Sequence, residues 1–345
     1  HPDRERLRSL AVTEIAGGAT RVLLDRADEN YSSPTPSPDG KWIAYAVQTG
    51  GPFTFDAVNL AIIPVAGGEP RILTASLDRA VQNLRWSADS QAIYFTAASR
   101  GAFPLYRVAV AGGAVETLTT RADWGVRAFD VAADRLIQVV TVPENPGELL
   151  TGDLAAKTTR ALTTHNADWL KGKALSAYEA HSLTGKDGLE IQYWIMKPTQ
   201  FDAGKKYPLL VQIHGGPSAM WGPGEDTMWF EFQYYAARGY GIVFSNPRGS
   251  GGYGRDFQRA NYRDWGVGPA SDVLQAATFA AREPWVDADR QVLTGGSYGG
   301  YLTAWIVGHD LRVMAAVALR GVYDLIAFVG EGKGWSLVAL SWGGY

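Results

Sequence analysis

Cysteine is absent from this chain of 345 residues. That excludes disulfides, a thiolate nucleophile and cysteine-ligated zinc. No apolar run approaches the ~18 residues that a membrane-spanning helix requires, so no membrane partner is expected. The longest runs, such as "MAAVAL" at 314–319, read as buried strand. An excess of positive charge is missing too, since the formal net charge is −3, which argues against a nucleic-acid partner. The N-terminus "HPDRERLRSL" is charged and has no apolar core segment, so it is not a signal peptide. A precursor could still have carried one, and a periplasmic or secreted location is only slightly favoured over a cytoplasmic one. What is present is an ordinary globular balance, 46% hydrophobic and 19% charged, with enough length for two cores.

The first half is repetitive. "IAGGATRVLL" (15–24), "VAGGEPRILT" (65–74), "VAGGAVETLT" (110–119) and a worn copy, "LAAKTTRALT" (154–163), begin 50, 45 and 44 positions apart. "SPDGKWIAY" (37–45) and "SADSQAIYF" (87–95) repeat at 50. Short β-branched or aromatic strands cut by Asp-Gly and Gly-Gly turns, at a period in the forties, are the signature of β-propeller blades. Residues 1–168 are therefore expected to form a partial β-propeller of about four blade-like repeats, entered partway through one. Trp42, Tyr45, Trp86 and Tyr94 alternate as blade packing should.

From 169 to 345 the pattern changes. Two antiparallel strands, "ALSAYEAHSL" and "LEIQYWIMKP", are joined by the turn at 184–188. Alternating strands and helices follow: strands at 207–216, 240–249, 291–297 and 313–321, and helices at 227–239, 271–282 and 298–309. Ser271 or Asp272 is expected near the second helix's N-cap. Nearly continuous apolar strands predict a mostly parallel, doubly wound sheet covered on both faces, a partial α/β-hydrolase domain.

Ser297 sits in Gly295-x-Ser297-x-Gly299 at the strand-to-helix junction of "LTGGSYGGYLTAW". This is the pattern of a nucleophile elbow, in which the turn is too tight for side chains two residues before and after the serine. The amide of Tyr298 and the helix N-terminus would both favour negative charge there. The alternative is a glycine-rich turn with serine as filler; the strand–turn–helix context favours the nucleophile. "IHGGPSAMWG" (213–222) follows the strand where such folds place the second oxyanion donor. That role is assigned to the amide of Gly216, with Gly215 as fallback, and His214 is read as structural. "SNPRGSGGYG" (245–254) has no following Gly-Lys-Ser/Thr and so is no phosphate loop. No cofactor is expected. Arg248 is either a structural clamp or a charge in the substrate cleft, with the clamp favoured.

Together, "HGGP", "NPRGSGGYG" and "GGSYGGY", downstream of propeller-like repeats, resemble the prolyl oligopeptidase family of serine peptidases, and most of all its bacterial dipeptidyl- and acylaminoacyl-peptidase branch. The resemblance implies hydrolysis of short peptides through an acyl-enzyme on Ser297, with the propeller screening out large substrates. It implies oxyanion donors at Tyr298 and Gly216. Some dipeptidyl peptidases of the family use a tyrosine hydroxyl where this chain has His214, a departure that favours backbone donors. By the same resemblance the pocket for the residue before the scissile bond falls in "RGVYDLIAFVGEGKGW" (320–335). Val322 and Phe328 are the expected lining, with the Tyr298 ring as one wall and Trp335 as either lining or core aromatic.

A serine hydroxyl needs a base, and the base an acid to orient it. In α/β-hydrolases these follow the serine in the order acid, then histidine. After Ser297 come one histidine, His309, and the acids Asp310, Asp324 and Glu331. Twelve helical residues separate His309 from Ser297 by about 18 Å, too far for proton transfer. His1, His165 and His181 lie in the propeller or the lead-in. The expectation is a fragment whose acid and base lie beyond it, a poor catalyst alone. The competing readings are an esterase or amidase on this scaffold, and a non-catalytic propeller binding protein. A homo-oligomer is compatible with the sequence.

Overall fold

The computed structural model describes residues 7–50, 54–119, 121–154, 158–185, 187–330 and 334–343. His1 and Glu331 lie outside the described residues, and so does the side chain of Trp335. The chain divides into two compact units. One comprises residues 1–99, 103–140 and 148–163, and the other 100–102, 141–147 and 164–345.

The first unit contains three four-stranded antiparallel sheets and a two-stranded hairpin. The hairpin pairs Leu10–Thr13 with Thr20–Leu24. The first full sheet runs in chain order through Glu29–Pro36, Trp42–Thr49, Asn59–Pro64 and Arg71–Ile72, and two more sheets follow the same plan. Every Gly-Gly repeat leads into the fourth, outermost strand of a sheet or into the second strand of the hairpin. The Ser-x-Asp repeats make the turn between the first and second strands, and they do so with matching bonds. Ser37 Oγ donates to Asp39 Oδ1 (2.6 Å) and accepts from the Trp42 amide (2.9 Å). Ser87 Oγ does the same with Asp89 (2.6 Å) and Ala92 (2.9 Å). Tyr45, Trp86 and Tyr94 are buried as blade packing should be, whereas Trp42 is half-buried under the Arg71 guanidinium.

The second unit is built on a six-stranded sheet. Its strands are β1 (Glu179–Thr184), β2 (Glu190–Met196), β3 (Tyr207–Ile213), β4 (Gly241–Asn246), β5 (Val286–Gly296) and β6 (Ala315–Leu319). Their order across the sheet is β1-β2-β4-β3-β5-β6. β2 is antiparallel to both its neighbours and the remaining pairs are parallel. The longer helices are α1 (Trp229–Ala237), α3 (Val267–Ala280) and α4 (Tyr298–His309), and the short α2 (Arg255–Arg259) lies between α1 and α3. α5 (Leu325–Gly330) and α6 (Trp335–Trp342) complete the chain order. Leu209, Val211 and Ile213 of β3 meet Val273, Ala276 and Ala277 of α3 and Leu302 and Ile306 of α4 in one core cluster. This is the opening part of an α/β-hydrolase sheet.

Two expectations need correction. α3 begins at Val267, and its first amides are held by Asp264, whose Oδ1 accepts from Gly266 (3.2 Å) and Val267 (2.8 Å) and whose Oδ2 accepts from Gly268 (2.7 Å). Ser271 and Asp272 therefore lie inside the helix, and Asp272 is fully buried. β6, expected to be buried, is exposed along all five residues. Its one sheet neighbour is β5, and apolarity alone does not bring a covering layer.

Candidate active site

β5 delivers the chain to Gly296, and α4 starts two residues later at Tyr298, so Ser297 alone makes the bend. It does so at φ 59° and ψ −121°, a left-handed conformation that few residues other than glycine adopt. The bend is tied down on both sides: the Ser297 amide donates to Leu319 O (3.0 Å), and Ser297 O accepts from the Tyr301 amide (3.0 Å). The flanking glycines are demanded by close approach. A Cβ on Gly295 would stand 2.6 Å from Gly299 O, and one on Gly299 would stand 2.3 Å from Ile213 O. Ser297 itself is exposed while Tyr298 and Gly299 are buried. The result is a hydroxyl raised above the sheet at a helix N-terminus, where the first-turn amides have no intrahelical acceptor.

The "HGGP" loop passes beside it. A Cβ on Gly215 would lie 3.3 Å from Ser297 Cβ and 3.8 Å from its Oγ. Gly216 is exposed, at φ 119°, and a Cβ there would stand 2.3 Å from the Ser218 amide nitrogen. His214, by contrast, is 1% exposed. Its Nδ1 lies 2.8 Å from Gly215 O and its Nε2 lies 2.8 Å from Ser250 Oγ. A carbonyl only accepts, so Nδ1 carries the proton. Burial pushes the imidazole pKa down to about 4, so the ring is neutral near pH 7. It is anchored and cannot reach out as a base.

Arg248 takes the clamp role. It forks onto Asp272 through Nε (2.8 Å) and Nη2 (2.8 Å), and its Nη1 reaches Asp187 (2.6 Å). Its backbone amide also donates to Asp272 (2.9 Å). Burial raises the Asp272 carboxyl pKa more than Arg248 lowers it, while the hydrogen bond from Arg248 lowers that of Asp187. With its fork engaged in this way Arg248 ties the "NPRG" loop to α3 and to the β1–β2 turn.

The expected pocket residues are less concentrated. Val322 is half-buried directly after Gly321, which abuts Gly300 in the first turn of α4. Phe328 is half-buried in α5 with its ring against Gly334. The Tyr298 ring is 2% exposed, packed edge-on against Trp265, and its hydroxyl donates to Trp265 O (2.9 Å). Among the described residues no histidine nitrogen hydrogen-bonds to Ser297. His309 stacks on Trp305 and bonds to its carbonyl, and His181 stacks on Tyr193. Asp310 is gripped by Arg312, and Asp324 accepts from the amides of Ile326 and Ala327.

Three residues that matter here went unmarked in the sequence. The Ser250 hydroxyl holds His214, the Leu319 carbonyl holds the elbow, and Arg320 lies over Gly296. Each acts through a contact between segments far apart in the sequence, for which no local spacing exists.

A blade-forming unit together with an α/β-hydrolase sheet and a serine elbow at the end of its fifth strand defines the class: a propeller-bearing α/β-hydrolase. Residues 226–339 match the family model described as "Prolyl oligopeptidase family", and the chain belongs to that family of serine peptidases. It is 36% identical over 248 residues to an uncharacterized peptidase, YuxL, of Bacillus subtilis, covering 71% of this chain and 37% of that protein. It is 28% identical to dipeptidyl-peptidase 5 of Porphyromonas gingivalis, covering 91% of this chain and 46% of that one. The fold superposes on the acylaminoacyl peptidase of Pyrococcus horikoshii with a TM-score of 0.84 at 26% identity, covering 97% of this chain and 51% of the other. The chain thus spans about half the length of such relatives, or less.

Proposed function

We propose that the site hydrolyses short peptides through an acyl-enzyme on Ser297. The observation that carries this is the exposed, left-handed Ser297 beside the Gly215 loop, which passes so close that a Cβ on Gly215 would lie 3.8 Å from the hydroxyl oxygen. Ser297 Oγ attacks the scissile carbonyl, and the resulting oxyanion is held by the amides of Tyr298 and Gly216, with Gly215 as the neighbouring donor. His214 serves as a positioning residue. A trans peptide sets its N–H opposite to its C=O, so gripping the Gly215 carbonyl fixes the direction of the Gly216 N–H. The base and its orienting acid come from residues other than the described ones. The relatives named dipeptidyl-peptidase and acylaminoacyl peptidase support a short-peptide substrate.

A fluorophosphonate probe is expected to label the intact gene product at Ser297, and Ser297→Ala to abolish labelling while lowering kcat by roughly 10⁶. Labelling that persists in the variant would move the nucleophile elsewhere.

A further inference from the structure

The residue after β6 is a cation poised beside the nucleophile. Arg320 follows Leu319, whose carbonyl accepts the Ser297 amide. A Cβ on Gly300 would stand 2.4 Å from Leu319 O and 3.0 Å from Gly321 Cα, so residues 319–321 cross directly over the first turn of α4. Arg320 has φ 41°, a left-handed kink in a residue with a long side chain. Its side chain folds over the adjoining strand end. Nη2, Cζ and Nε lie 3.0, 3.2 and 3.4 Å from the point where a Cβ on Gly296 would stand. Gly296 directly precedes Ser297, which places the guanidinium within roughly 8 Å of the nucleophile's Cα. The space above Gly296 is open to it only because residue 296 has no side chain.

The charge is also uncommitted. Arg248, Arg290 and Arg312 each hold a carboxylate. Among the described residues no carboxylate pairs with Arg320, and its side chain is exposed. In open α/β sheets the ligand crevice lies beyond the carboxyl ends of the strands, and Gly296 and Leu319 are the last residues of β5 and β6. A planar guanidinium at that rim presents paired donors that match a carboxylate.

We propose that Arg320 is a specificity-determining residue, a fixed cation that favours substrates carrying a carboxylate next to the scissile bond. This rests on Ser297 being the nucleophile. The carboxylate has two sources: an acidic side chain on the residue before the scissile bond, or the free C-terminus of a short leaving peptide.

The test uses the intact gene product and two substrate pairs. In the first, peptidyl nitroanilides carry Glu or Gln before the scissile bond, and these substrates have no free C-terminal carboxylate. In the second, one neutral peptide ends in a free acid or in an amide. The acid member of at least one pair is expected to have a kcat/KM about tenfold above its neutral twin, and the pair that shows the preference identifies the source. Arg320→Gln is expected to bring that ratio close to one, and Arg320→Lys to keep part of it. A wild-type ratio near one in both pairs overturns the proposal without need of any variant, and so does a preference that Arg320→Gln leaves intact. If Arg320→Gln does not fold, the Lys variant and the wild-type ratios still decide. Failure of the peptidase reading shows separately, as neutral substrates left uncleaved and Ser297 unlabelled by fluorophosphonate. In that event the proposal falls with it.

Discussion

His214 has two hydrogen-bond partners and almost no contact with solvent, and its titration follows from that. Its pKa falls from 6.5 to about 4 in the folded chain because burial disfavours the imidazolium. Between those values the unfolded chain binds the proton and the folded chain does not, so stability rises with pH across the window. Stability is therefore full above about pH 6.5 and declines as the pH falls toward 4. The loss attributable to this one ring is roughly 3 kcal/mol. Denaturant unfolding followed from pH 7 to pH 4 is expected to show this decline, and His214→Gln to flatten it. An unchanged slope in the variant would assign the decline to other groups. The sequence marks this histidine as structural because it stands within "HGGP", in a loop that must supply backbone donors. The sequence does not show that Ser250, 36 residues later, completes its anchorage.

The helices show where local pattern is sufficient and where it is not. α4 spans the residues that its sequence predicts, 298–309, because the elbow glycines fix its start. α3 starts four residues before the expected 271. Gly268 and Pro269 are poor helix formers, and what starts the helix before them is the side chain of Asp264, outside the apolar periodicity. Asp264→Ala would leave three first-turn amides without that acceptor. The expected cost is about 1–2 kcal/mol, read as a lower denaturant midpoint with the slope unchanged. Asp264→Asn or Asp264→Ser should recover much of it, since either offers an oxygen in the same place. The elbow itself was legible because its spacing has a steric cause, confirmed by the approach of Gly299 to Ile213 O. Arg320 was not legible, because the direction a long side chain takes after a strand depends on a kink that sequence does not display.

At the scale of the whole chain the clearest discord is β6. The sequence specifies an apolar strand, and strand it is, but Val317 is 50% and Leu319 is 42% exposed. An uncovered apolar edge strand offers unpaired amides and carbonyls to any similar strand. A polypeptide of these 345 residues, made by itself, is expected to self-associate in a concentration-dependent way. Val317→Lys should shift it toward monomer, as measured by light scattering after gel filtration, and indifference to the lysine would locate the contact elsewhere. The blades carry a different message. The Ser37 and Ser87 turns have the same bonding and stand 50 positions apart. A genetic crossover between their coding segments would excise one sheet's worth of chain and reseal on an identical turn. The number of blades in this lineage is thereby open to change by simple recombination, with no new junction to invent.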